Sequence, residues 1–281
     1  MAIGDSTRIN TNIAAFNALN SLKEVNRRLE RSQLKLATGF RINEVSDDPA
    51  GFTISKRLDA RARGLSVALD NVGTTKNVLS IAEGGLLNIQ SILITMKEKV
   101  TQAANDTLGS AERNAISTEI IELVTEIDNI VNETTFNDQA LLDGSYTSKS
   151  YQTGEDTTNT MLFSITANNT ASGLSVQASK VSDNVFTASG ASVALSNVDA
   201  AIETIAKGMQ NIGATVSRLT VKEATLRIAI TNTEATKSRI LDSDIAQEQL
   251  TSTRLQILQQ TATAQLAQAN VAPQNVLALF Q

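Results

Sequence analysis

Between Leu65 and Val100 the apolar residues recur in steps of three and four, and this rhythm constrains the fold more than any other feature. Leu65, Ala68, Val72, Thr75, Leu79, Ala82, Leu86, Ile89, Leu93, Met96 and Val100 all lie on it. A helix turns once every 3.6 residues, so these steps gather into one narrow stripe, the stripe of a helix packed along another helix. A start signal precedes it at Asp47-Asp48-Pro49. Asp48 can accept from the free N–H groups of a first turn, and Pro49 fits the first helical position. An acid/base pair is the competing reading of the two carboxylates. No histidine, aromatic wall or glycine-rich loop accompanies them, so the cap is preferred. From Pro49 to about Asn105 the helix would be roughly 85 Å long at 1.5 Å per residue. Gly73, Gly84 and Gly85 interrupt it. Each costs about 1 kcal/mol against Ala, or else marks a place where another part of the chain comes close.

Two more seams follow. After a break at Thr107-Leu108-Gly109-Ser110, Ile116, Ile120, Leu123, Ile127 and Ile130 form the second. Ser110 is its expected N-cap, with Glu112 well placed against the helix dipole. Val198, Ile202, Ile205, Met209, Ile212, Val216, Leu219, Leu226 and Ile230 form the third, interrupted at Glu223. The expected packing set is Leu79, Leu86, Ile89, Leu93, Ile120, Leu123, Ile127, Ile205, Ile212, Val216 and Leu219. Helices of this length cannot wrap a globular centre. They are predicted to pack side by side as a long antiparallel helical rod, a coiled-coil-like bundle.

The two ends differ from these seams but resemble each other. Residues 1–45 and 240–281 are rich in Asn, Gln, Thr and Ala, with apolar residues at helical spacing. Ile13, Phe16, Leu19, Leu22, Val25, Leu29 and Leu36 mark a helix over 9–38, with Gly39 as its C-cap. Leu255, Leu258, Ala262, Leu266 and Ala269 mark another after Asp242-Ser243-Asp244, ended or kinked at Pro273. Neither stripe is apolar enough to be stable alone. Each reads as half of an interface, disordered until a partner covers it.

Residues 145–195 break the helical pattern, and about a third of them are Ser or Thr. Phe163-Ser164-Ile165-Thr166 and Leu174-Ser175-Val176-Gln177 alternate like strands, with turns at Gly154 and Asn168-Asn169. A small β element or polar surface segment is expected there.

Composition removes several functions. The chain has 281 residues, no Cys, no His, no Trp and a net charge of −5. Without Cys or His there is no thiol nucleophile, no Ser-His-Asp arrangement and no common zinc ligand. No phosphate loop of the form GxxxxGK[ST] occurs, so an enzyme is not expected, nor a cofactor. Arg27, Arg28, Arg31 and Lys35 form the densest basic cluster, but Glu24 and Glu30 interleave with it; a solvated helix face, not a nucleic-acid site, is the reading. No uninterrupted run of about 18 apolar residues is present, so no membrane insertion is expected. The start lacks the charged-then-apolar pattern of a secretory signal peptide.

Several motifs, in order, resemble the bacterial flagellins. They are Ile9-Asn10-Thr11-Asn12-Ile13, Leu36-Ala37-Thr38-Gly39-Phe40-Arg41-Ile42-Asn43 and Asp47-Asp48-Pro49-Ala50-Gly51 near the start. Near the end stand Ser238-Arg239-Ile240-Leu241-Asp242-Ser243-Asp244, Gln256-Ile257-Leu258-Gln259-Gln260, and Leu266-Ala267-Gln268-Ala269-Asn270 through Pro273-Gln274-Asn275-Val276-Leu277. The resemblance covers about residues 1–145 and 195–281. It implies a structural subunit that polymerises into the extracellular flagellar filament and serves swimming motility. It further implies export, unfolded, through the flagellar type III apparatus, an export chaperone at the C-terminal segment, and contacts with filament cap and hook-junction proteins. The middle is too short for the outer domains of larger relatives.

The resulting expectation is a mainly α fold with a small β element and terminal helices that order on assembly. Residues 1–45 and 240–281 would form the terminal assembly domain, 46–144 and 196–239 the long-helix domain, and 145–195 its polar surface element. Subunit contacts are expected at Ile13, Phe16, Leu19, Leu22, Leu29, Leu36, Leu255, Leu258, Leu266, Val276 and Leu277. The resemblance also places Glu98, Gln102 and Glu119 where relatives touch a flagellin-sensing Toll-like receptor. Thr95 stands where those relatives carry an arginine and Lys99 where they carry a leucine, so weak or absent activation is expected. O-linked sugars on exposed Ser or Thr of 145–195 are a further implication; Asn132-Glu133-Thr134 and Asn168-Asn169-Thr170 also fit N-x-S/T. The competing functions are a hook-filament junction protein and, from another class, a cytoplasmic coiled-coil tethering or signalling protein.

Overall fold

The computed structural model describes the backbone of residues 11–278, and the side chains of these except Ala188 and residues 272–278. Five α-helices dominate: α1 (Ile13–Thr38), α2 (Pro49–Ala103), α3 (Ser110–Glu133), α4 (Ala188–Leu241) and α5 (Ile245–Ala278). The strands are short: β1 (Thr135–Phe136), β2 (Gln139–Ala140), β3 (Lys149–Gln152) and β4 (Thr160–Phe163). The fold is thus mainly α. Two compact units are formed, Met1–Ala60 with Asn232–Gln281, and Arg61–Thr231.

The Arg61–Thr231 unit is an antiparallel helical bundle. Lys76 of α2 meets Glu223 of α4 at 3.0 Å, and Lys97 meets Asp199 at 2.7 Å, so the two helices run in opposite directions. Lys99 of α2 reaches Glu119 of α3 at 2.6 Å. Between them lies one continuous core. Leu79, Leu86, Ile89, Leu93, Ile120, Ile127, Ile205, Ile212 and Leu219 are buried in it, with Leu123 and Val216 half-buried against it. Glu223, the interruption in the third seam, is the partner of Lys76: a cross-helix ion pair stands where an apolar residue would otherwise extend the stripe.

The three glycines of α2 separate into two kinds. A methyl group added at Gly85 would lie 2.7 Å from Leu142 Cδ1 and 2.8 Å from Thr134 Oγ1, so this position does mark a close approach. Gly73 and Gly84 have nothing within 4 Å.

At the other end of α2, Arg113 is buried and donates to the carbonyls of Ala103, Asn105 (2.9 Å), Leu108 (3.4 Å) and Val185 (3.4 Å). The last carbonyls of a helix have no partner within it. Arg113 supplies one, as a cation at the negative end of the helix dipole. The expected cap at Ser110 is displaced by one residue: Gly109 holds the N-cap position without a side-chain bond, and Ser110 is the first helical residue. Glu112 lies in that first turn as expected.

The middle segment is less strand-like and less superficial than its composition suggests. β1 pairs antiparallel with β2, and β3 with β4, as two separate hairpins. The β1–β2 loop is Asn137-Asp138, both at positive φ, as a two-residue hairpin of the right twist requires. The expected strand at 163–166 ends at Phe163, and Leu174-Ser175-Val176-Gln177 is not a strand. Ser175 has φ 61°, which breaks the extended backbone. Leu174 and Val176 are nevertheless buried, with Phe163, Ile165, Val181 and Val185, in the helical core. Apolar alternation here reflects a chain lying on the helices without a partner strand.

In the other unit α1 packs along α5. Asn12 caps α1 by accepting from Ala15 N at 2.9 Å, and its amide donates to Ala269 O at 2.7 Å. Gln259 of α5 donates to Asn26 of α1 at 2.9 Å. Gly39, at φ 75°, ends α1 as expected. The chain beyond it is joined to the α4–α5 turn by backbone bonds, Arg41 N to Leu241 O at 2.6 Å and Ser243 N to Gly39 O at 2.8 Å. Asp48 accepts from Gly51 N at 2.9 Å, which is the expected cap of α2. Asp47 accepts instead from the N–H groups of Asn43 (3.0 Å) and Glu44 (3.1 Å), holding the preceding turn. Pro273 does not end α5, which continues to Ala278. A proline removes one hydrogen bond from the ladder, a local cost in a helix of 34 residues.

Candidate assembly surface

The two units differ sharply in how much they bury. Of the buried apolar residues, the described part of the α1–α5 unit supplies Leu29, Ile42, Leu255 and Ala262, and all the others belong to Arg61–Thr231. Small buried side chains fill much of the remainder: Ser32, Ser55, Thr233 and Ser252. Among the described residues the Ser32 hydroxyl has no hydrogen-bond partner. Full burial of a large aliphatic side chain stabilises by about 1.5–3 kcal/mol, whereas each ordered residue costs about 1–2 kcal/mol of backbone entropy. Among the described residues, helices α1 and α5 therefore share a thin apolar core.

The surface of the same unit also carries apolar residues. Leu250, Ile257 and Val271 stand on α5 at intervals of seven and twice seven, with Ala264 between them, and all four are exposed. Leu250 is 70% and Ile257 59% accessible. On α1, Phe16 is 63% accessible. The expected contact residues divide: Leu29 and Leu255 are buried, Ile13, Leu19, Leu22, Leu36 and Leu266 are half-buried, and Phe16 and Leu258 are exposed. Val276 and Leu277 lie outside the residues whose side chains are described. Leu250, Ile257 and Val271 were not among the expected contacts; the seven-residue interval is the signal that finds them.

The bundle unit repeats the arrangement. Val221 and Ile228 of α4, seven apart, are 66% and 63% accessible, on a helix whose other stripe is already buried. Leu87 and Ile94 of α2, also seven apart, are exposed. These helices carry one apolar seam turned into the chain's own core and a second left open. Exposed apolar residues at coiled-coil spacing are suited to helix–helix contact.

Among the described residues no group of three or more His, Cys, Asp or Glu side chains is placed to hold a metal. The lowered carboxyls are explained by local partners. Asp47 is held down by the N–H groups of Asn43 and Glu44 and by Lys35 and Arg31, and Glu24 by Arg28 and Arg27. Glu98 and Gln102 are exposed on α2; Glu119 is engaged by Lys99. By length and composition α2 does pass as a membrane-spanning helix, contrary to the expectation from uninterrupted runs. Polar residues are scattered through it, so no run is pure, yet the average is apolar; Leu79, Leu86, Ile89 and Leu93 turn into the protein core.

Comparison with known proteins agrees with this geometry. Residues 9–147 match the bacterial flagellin N-terminal helical region, and 195–280 the bacterial flagellin C-terminal helical region. The flagellar filament 33 kDa core protein of Treponema phagedenis is 34% identical over 97% of this chain and 99% of its own. The flagellin of Bacillus subtilis (strain 168) is 34% identical over 98% of this chain and all of its own. A solved structure from Vibrio parahaemolyticus, described as a flagellar hook-associated protein, covers 70% of this chain and all of its own with a TM-score of 0.61 at 16% identity, which shows a shared fold. The chain belongs to the bacterial flagellin family.

Proposed function

We infer that this chain is a structural subunit which polymerises into the extracellular flagellar filament, and that helices α1 and α5 are its principal assembly element. The open seam Leu250–Ile257–Val271 carries the second statement, because it sits on the unit with the thinnest core. A second copy that covers the seam supplies the apolar burial this unit lacks. Folding of α1 and α5 is then coupled to assembly. The same coupling keeps the ends loosely held before assembly, which suits export through the flagellar type III apparatus, with a chaperone at the C-terminal segment and cap and hook-junction proteins as later partners. Terminal residues 1–45 and 240–281 act as the assembly domain, and the long helices with their 145–195 insert form the other domain. No enzymatic role is proposed. Binding to a flagellin-sensing Toll-like receptor is weak, because Thr95 offers no guanidinium and Lys99 engages Glu119.

The test is seeded polymerisation of the purified monomer in high salt, imaged by negative stain. Long filaments of even diameter are expected. Soluble monomers alone would overturn the reading, and short capped rings would favour a junction protein. Deletion of 250–281 is expected to leave a soluble, helical protein that forms no filaments.

A further inference from the structure

A cavity of about 340 Å³ lies between α2 and the β-hairpins, within the bundle unit. Ligand sites span about 300–1,000 Å³, so it has room for one small molecule. Its wall contains no charged side chain placed to pair with a phosphate, carboxylate or amine.

What the wall does contain is aromatic surface and neutral hydrogen-bonding groups. Phe136, Tyr146 and Tyr151 supply the rings. Lys149 is not part of the wall; its ammonium lies over the Tyr146 ring, 5.2 Å from the centroid, so one face of that ring is taken. Asn137, Gln139 and Ser150 line the cavity and are exposed, so their polar groups are open to a ligand from solvent. Asn71 uses one amide proton on Gln152 O, at 3.3 Å, and keeps its other donor and its carbonyl. The Tyr146 and Tyr151 hydroxyls bond to each other. One such bond consumes one of the two phenolic protons, so the pair retains a donor for a third oxygen.

We propose that this cavity binds one neutral pyranose, either free or as the terminal residue of a glycan. A pyranose offers an apolar C–H face to an aromatic ring and a rim of hydroxyls that both donate and accept. Amide side chains match adjacent hydroxyls because each presents a donor and an acceptor in one plane. A nucleoside would find rings to stack on as well, and serves as the contrasting probe. The proposal does not depend on filament assembly and applies to the monomer.

The chain provides its own reporter. It has no Trp and two Tyr, and both tyrosines line the cavity. Tyrosine emission of the full-length monomer is titrated with methyl glucoside, methyl galactoside and N-acetylglucosamine, with maltotriose as the glycan arm, and with glucuronate and adenosine as contrasts. A saturable change is expected for at least one neutral sugar, with half-saturation on the order of 1–10 mM, the range of a single small site. Maltotriose binding as well as methyl glucoside would identify a glycan end as the occupant; binding of the monosaccharide alone would identify a free sugar. Gln139→Ala and Ser150→Ala, with helical circular dichroism unchanged, are each expected to weaken binding at least threefold. No saturable change with any neutral sugar up to about 100 mM would overturn the proposal. So would equal binding of glucuronate or adenosine, or binding unchanged in both variants.

Discussion

Gly85 of α2 lies against Leu142 so closely that a single methyl group on it would stand 2.7 Å from Leu142 Cδ1. Its neighbour Gly84 faces open space. Two adjacent identical residues therefore answer the same substitution in opposite directions. Gly84→Ala is expected to raise stability by about 0.5–1 kcal/mol, since Ala loses less backbone entropy in a helix. Gly85→Ala is expected to lower it by about 1–3 kcal/mol through overpacking. Urea unfolding of the two variants checks both signs.

Arg113 holds four carbonyls at the junction of α2, α3 and the segment ending at Val185. Arg113→Met keeps much of the stem but strands those acceptors. A loss of about 2–3 kcal/mol is expected. Arg113→Lys retains the charge without the planar fork and should recover part of it. Chemical unfolding of both variants separates charge from geometry.

Seams open and closed respond differently to substitution in α5. Leu250→Asp and Ile257→Asp change exposed positions, so the monomer's thermal midpoint should hold while filament growth is lost. Leu255→Ala removes a buried side chain. It is expected to loosen α1 from α5 by about 2 kcal/mol, read as faster hydrogen exchange in both helices. Filaments of normal length from Leu250→Asp would refute the role given to that seam.

The Asp47 carboxyl is held below the ordinary carboxylate range, chiefly by the backbone N–H of Asn43 and then that of Glu44. A group lowered on folding stabilises the fold above its unfolded value, about 3.9. That share is lost as pH falls through the lowered folded value. Asp47→Asn should therefore show a shallower fall of the thermal midpoint below about pH 4 than the parent chain. Identical slopes would exclude Asp47 from the acid response.

The Lys76–Glu223 pair interrupts an apolar seam. Glu223→Leu should lower the thermal midpoint, since Lys76 is left beside the core without its counter-charge, whereas Lys76→Leu should cost less, because Arg227 still pairs with Glu223 at 2.8 Å. Replacing both should restore it or raise it. A double-mutant cycle measures the coupling, which should shrink as salt is added.

The three-four steps of Leu65–Val100 and of the second and third seams determined the long helices and their buried faces. That periodicity is local and needs only the helix pitch. Asp48-Pro49 and Gly39 determined two helix ends for the same reason: a cap is formed by neighbours in the chain. Tertiary structure decided what local pattern cannot encode. Whether a glycine is crowded depends on Leu142 and Thr134, residues 57 and 49 positions away from Gly85. The depth of the middle segment depends on the helices beneath it, which bury Leu174 and Val176 although Ser175 breaks their strand. A helix with two apolar stripes does not reveal in sequence which stripe its own chain covers. Packing closes the face with Leu255 and leaves open the face with Leu250 and Ile257, because a helix laid along one neighbour hides only the side turned toward it.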